Sequence, residues 1–185
     1  MVSRRDFIFG VACTGICRAE SFADFVLRQW DSAVVGPFYD QRFNGHVWMQ
    51  ANLTNAGVMR YREILSLARK SSPLETINRL VNQTPYVIDD TPGQVPESFL
   101  QYGGDCKDYA FTIACLLLDY GWSLDDIRIA KVIALDGELH DILIVRHKNQ
   151  YLVCDSYFRD SKIVALDKSV YATARYVDQG FYRLR

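Results

Sequence analysis

Cys106, His140 and Asp155 are the residues in this chain whose types and order could carry out nucleophilic chemistry. A thiol can attack a carbonyl, an imidazole can take the thiol proton, and a carboxylate can hold the imidazole in one tautomer. Cys106 lies in the run Gly103-Gly104-Asp105-Cys106-Lys107-Asp108-Tyr109-Ala110, and an apolar stretch of helical character follows as far as Leu118. Asp105 is a good N-cap, and Asp108, three residues on, makes an acidic variant of the capping box. Cys106 then occupies the first helical position, where unpaired backbone N–H groups and the positive end of the helix dipole favour a thiolate. The adjacent carboxylates push the other way, so activation calls for a further partner such as a histidinium. Taken alone, Cys106 reads equally well as a small buried hydrophobe at a helix start.

His140 supplies that partner. It opens a strand directly after the Asp136-Gly137 hairpin signal, and Asp155 ends the next strand. Across a short turn at residues 147–150, positions near 140 and 155 fall close to opposite one another. His46 lies in a polar stretch and His147 stands before a turn, so both read as surface residues. Cys115 and Cys154 sit in apolar runs and read as core. No Cys/His spacing suggests zinc.

The elements that must position these residues are helices first and strands afterwards. Apolar spacing predicts a helix from Phe22 to Val35, stopped by Gly36-Pro37. A second helix carries Val58, Tyr61, Ile64, Leu65 and Ala68 on one face, starting near His46 or only after Gly57. Ser72-Pro73 caps a third, and Tyr86 to Gln94 reads as loop. A short turn from Pro96 to Leu100 leads to the central helix, Cys106 to Tyr120, closed by Gly121. Strands are expected at Ile127–Leu135, His140–Arg146 and Tyr151–Asp155, with short ones at Val164–Ala165 and within Tyr171–Tyr182. The pattern is α+β, an antiparallel meander packed on the central helix.

Composition narrows the function. With 49% apolar residues the chain can build a core, and a net charge of −1 without a basic cluster argues against a nucleic-acid partner. No apolar run is long enough to span a membrane. Ser3-Arg4-Arg5-Asp6-Phe7-Ile8 matches a twin-arginine export pattern, and Cys17-Arg18-Ala19 offers small residues for signal cleavage. Residues 1–19 are therefore expected to be a signal segment and residues 20–185 a single periplasmic domain, a short membrane-associated N-terminal helix or a cytosolic first helix being the other readings. Removing residues 1–19 takes Cys13 and Cys17 with it and leaves an odd number of cysteines, so at least one is unpaired.

The run Gly-Asp-Cys-x-Asp-Tyr-Ala, then His at a strand start and Asp at the end of the next strand, resembles the bacterial transglutaminase-like cysteine proteinases. The resemblance covers roughly Thr76 to Asp155. It implies a papain-like, transglutaminase-like core, with Cys106 as nucleophile, His140 as base and Asp155 as orienting acid. It also implies a periplasmic protease without an organic cofactor; some relatives cleave surface adhesins under a membrane-bound cyclic-di-GMP receptor. The sequence departs from that pattern in three places. Lys107 stands where an acidic residue of a calcium-binding cluster is usual, leaving Asp105 and Asp108 as weak calcium candidates. Gln94-Val95 stands where a Trp is common, and Asp141-Ile142-Leu143 replaces Ala-Val-Leu after His140. The expected activity is hydrolysis of a peptide bond in a protein substrate. Acyl transfer to an amine, and an inert binding module that kept the fold, are the competing readings.

Overall fold

The computed structural model describes residues 20–35, 55–88, 93–157 and 162–183. The proposed signal segment and His46 lie outside them. Helix α1 (Phe22–Gln29) is capped by Ser21, whose hydroxyl accepts the Asp24 N–H at 3.1 Å. It stops well short of the expected Val35. A 3₁₀ turn at Trp30–Ser32 follows, and Val34–Val35 forms strand β1. The correction has a simple cause: two adjacent β-branched residues prefer the extended backbone once a partner strand is available.

Helices α2 (Asn55–Ala68), α3 (Pro73–Val81) and α4 (Pro96–Tyr102) lead to the central helix α5 (Cys106–Tyr120). Pro at the first turn starts both α3 and α4, where a missing N–H costs nothing. Gly121, at φ +117°, closes α5 as expected. The strands are β2 (Ile127–Ile133), β3 (Leu139–His147), β4 (Gln150–Cys154), β5 (Val164–Ala165) and β6 (Tyr176–Arg183). The turn between β3 and β4 places Lys148 and Asn149 at positive φ, the geometry of a two-residue hairpin turn.

Among the described residues the sheet is six-stranded, in the order β1-β6-β2-β3-β4-β5. β2 to β5 form the expected antiparallel meander, but β6 returns to the far side of β2 and pairs with β1 in parallel. The sheet therefore has apolar packing on both faces. Ile127, Ile129, Leu143 and Val145 join the core of α2 to α5. The alternate residues Ala130, Val132, Ile142 and Ile144 pack with Phe22, Phe25, Val26 and Trp30 of the α1 region. Arg128 crosses into this second core, its Nε donating to the Trp30 carbonyl at 3.0 Å and its guanidinium lying over the Trp30 ring. The α+β class holds, with helices packed on an antiparallel sheet that gains one parallel edge.

Candidate active site

The N-terminus of α5 is built by the glycine pair ahead of it. Gly103 has φ +84°, and a Cβ there would stand 2.4 Å from the Pro85 carbonyl oxygen. At Gly104 a Cβ would stand 2.4 Å from Asp108 Oδ2. The chain at 85–87 lies alongside, with Val87 N–H donating to the Gly104 carbonyl at 2.9 Å and Gly104 N–H to the Pro85 carbonyl at 3.3 Å. Asp105 is the N-cap, and Asp108 accepts its backbone N–H at 3.1 Å, so the acidic capping box forms. Cys106 takes the first helical position, half-buried and free of any disulfide. The Tyr86 ring stacks on Tyr109 nearby, with centroids 6.2 Å apart.

His140 lies near the start of β3, and Asp155 is the first residue past β4. Both are buried, and His140 Nε2 meets Asp155 Oδ1 at 2.6 Å. The Cys106 thiol lies near enough to the same ring to raise its pKa. With Nε2 engaged by Asp155, Nδ1 is the nitrogen left for sulfur. Burial of the imidazole works to lower its pKa, but the hydrogen bonds and charges of Asp155 and Cys106 outweigh it, and the ring is pushed up to about 10. The three residues singled out from the sequence thus come together at one point.

Two residues that the sequence reading did not single out join them. The Tyr171 hydroxyl donates to Asp155 Oδ2 at 2.6 Å, and Tyr157 meets the His140 ring edge-on at 71° with centroids 5.7 Å apart. Neither lies in a motif, and only the three-dimensional contact reveals them. His147 instead packs on Trp122, with ring centroids 5.0 Å apart. Cys115 and Cys154 are core residues, as expected, and burial pushes the Cys154 thiol up. Asp141 pairs across the sheet with Lys131 at 2.8 Å.

Comparison with known proteins decides the family. A family model for the bacterial transglutaminase-like cysteine proteinases (BTLCP) matches residues 50–179. The chain belongs to this family. As a BTLCP member it is a transglutaminase-like cysteine peptidase. No curated protein matches it in sequence. Among solved structures, calcium-bound LapG from Legionella pneumophila matches with a TM-score of 0.57 and 21% identity, over 76% of this chain and 86% of that one. EGTA-treated LapG of the same organism matches at 0.55 and 22%, over 78% and 82%. At this identity the likeness carries the fold.

One of those LapG structures holds calcium, and in this BTLCP chain the acidic residues beside Cys106 are already engaged. Asp105 Oδ1 accepts the Lys107 backbone N–H at 3.2 Å, and Oδ2 takes the Lys107 ammonium. Asp108 Oδ1 accepts the Gln94 N–H at 2.7 Å and Oδ2 the Asp105 N–H. Burial raises the Asp108 carboxyl above the usual range, against these backbone donors and Lys107, which lower it. All four oxygens are engaged, and a cation already rests on Asp105. This donor set does not fit calcium, which takes six to eight oxygens. Gln94 binds the loop in turn, its Nε2 donating to the Gly103 carbonyl at 3.0 Å.

Proposed function

We propose that the chain is a periplasmic cysteine endopeptidase in which Cys106 is the nucleophile, His140 the general base and acid, and Asp155 the residue that orients the imidazole. The observation that carries this reading is the 2.6 Å contact between His140 and Asp155, on a ring whose pKa the nearby Cys106 also raises. In the first step the Cys106 thiolate adds to the scissile carbonyl carbon. The carbon–nitrogen bond then breaks as the imidazolium passes its proton to the leaving amine, giving a thioester. Neutral His140 next takes a proton from water, the hydroxyl adds to the thioester, and sulfur leaves as the carboxylic product departs. Asp155 holds the ring through Nε2.

Water needs only access and this base, whereas an amine acceptor needs a second apolar groove, so hydrolysis is favoured over acyl transfer. The family resemblance extends the reading to a surface adhesin as substrate and a membrane-bound cyclic-di-GMP receptor as regulator. Ser3-Arg4-Arg5-Asp6-Phe7 supports export by the twin-arginine route. Incubation with a candidate surface protein and a labelled primary amine tests the chemistry. Cleaved fragments without label, lost in Cys106→Ala, are expected. Stable amine incorporation without cleavage would overturn the peptidase reading.

A further inference from the structure

We infer that Tyr171 is a positioning residue for this site, holding the Asp155 carboxylate so that one oxygen always faces His140. The inference rests on the roles proposed above for Cys106, His140 and Asp155, and adds a group from a distant part of the chain. Tyr171 follows the 3₁₀ turn Leu166–Lys168 and is 2% exposed. Its hydroxyl donates to Asp155 Oδ2 at 2.6 Å, whereas Oδ1 takes His140 Nε2 at 2.6 Å and the Tyr157 backbone N–H at 2.9 Å. The two oxygens therefore have separate duties. Turning the carboxylate about its Cβ–Cγ bond breaks the Tyr171 and His140 contacts together.

The phenol is itself held in place. Tyr171 N–H donates to Ser169 Oγ at 3.3 Å, and its carbonyl accepts the Ala174 N–H at 3.0 Å. The next residue, Ala172, accepts the Ala23 N–H of α1 at 3.1 Å. The Tyr171 ring lies 23° from the plane of the His140 ring, with centroids 6.3 Å apart. A cavity of about 190 Å³, lined by Val153, Val164, Lys168 and Tyr171 among others, opens beside it. Burial and then the Asp155 charge raise the phenol's pKa, so it remains a donor across the working range. During turnover the imidazole alternates between charged and neutral forms, and a carboxylate pinned at its other oxygen keeps the ring aimed at sulfur in both.

The test needs no substrate. Alkylation of the full chain by iodoacetamide is followed from pH 5 to 9 on the Cys106 peptide by mass spectrometry. Wild type is compared with Tyr171→Phe, His140→Ala, Asp155→Ala and the Tyr171→Phe/Asp155→Ala pair, each checked for folding by circular dichroism. His140→Ala and Asp155→Ala should slow the reaction at neutral pH. Tyr171→Phe should slow it about tenfold, the weight of one hydrogen bond to a charged group, and displace the pH profile. It should have no further effect in the Asp155→Ala background, where its partner is gone. A wild-type rate and profile for Tyr171→Phe, or the same loss in both backgrounds, would overturn the role of Tyr171 and leave the triad standing. Alkylation indifferent to His140→Ala would instead sink the triad reading. Should Tyr171→Phe not fold, 3-fluorotyrosine at position 171 keeps the phenol and makes it more acidic, at the size of one fluorine atom. A displaced profile supports the inference, and an unchanged one overturns it.

Discussion

The Lys107 ammonium rests on the Asp105 carboxylate, so Cys106 stands between the two halves of an ion pair that are its own chain neighbours. A positive charge already sits where a divalent cation would need to approach these oxygens. Calorimetric titration of the full chain with calcium should show no site tighter than roughly millimolar, the weak end of protein calcium sites. EGTA should leave the unfolding midpoint unchanged. A micromolar site that disappears in Asp105→Asn would refute this.

The raised pKa of His140 makes stability depend on pH in a defined window. The folded imidazole keeps its proton up to about 10, whereas the unfolded one releases it near 6.5. Between those values the folded chain binds more protons than the unfolded one, so stability falls as pH rises. The contribution is fully present below about pH 6.5 and gone above about pH 10. Asp155→Asn removes the charge that holds the proton and should flatten this slope. Denaturant unfolding at pH 6, 8 and 10 measures it, and parallel slopes for the two proteins would contradict the assignment.

At Gly104 the space is already taken by Asp108 Oδ2, 2.4 Å from where a Cβ would sit. Gly104→Ala should therefore cost about 1–3 kcal/mol, the usual range for overpacking. Since Asp108 holds the N-cap N–H, it should also disturb the start of the Cys106 helix. Urea unfolding gives the first number, and the alkylation rate of Cys106 reports the second. A variant as stable and as reactive as wild type would mean that the segment shifts freely.

Asp141 is buried next to His140 and depends on Lys131, whose side chain is about a third exposed. Lys131→Ala leaves the carboxylate without this partner and should cost about 1–3 kcal/mol. Adding Asp141→Ala should restore much of the loss. A double-mutant cycle on urea unfolding decides the matter, and strict additivity would show that the pair is not coupled.

For export the expectation concerns residues outside the described structure. Replacing both Arg4 and Arg5 by Lys should keep the protein in the cytoplasm, since the twin-arginine route reads that pair. Processed double mutant found in the periplasm would remove the case for this route.

Much of the site was legible because its parts obey local rules. Asp105, Cys106, Asp108 and Gly121 announce the central helix through cap chemistry alone, and the hairpin turns at Asp136-Gly137 and Lys148-Asn149 bring His140 to Asp155. Tyr171 and Tyr157 were not legible, because a tyrosine in a turn carries no spacing signal and its partner is fixed only by tertiary packing. Strand β1 escapes the sequence pattern for a related reason. Val34 and Val35 continue a helical apolar pattern on paper, and their strand forms only against β6, from the far end of the described chain. Lys107 shows the converse: its departure from the expected acidic residue could be read directly, and the ion pair with Asp105 follows from proximity.

Strand β6 lies between β1 and β2, so residues 176–183 fill an interior position of the sheet. A ribosome delivers them after every other element described. Until then β1 has no strand beside it and β2 presents an open edge. Tyr171, which meets Asp155, emerges only shortly before them. Long-range pairings of this kind close late, after the local helices have formed. From the moment Cys106 is made until β6 follows, the growing chain therefore carries its nucleophile without a finished sheet behind it.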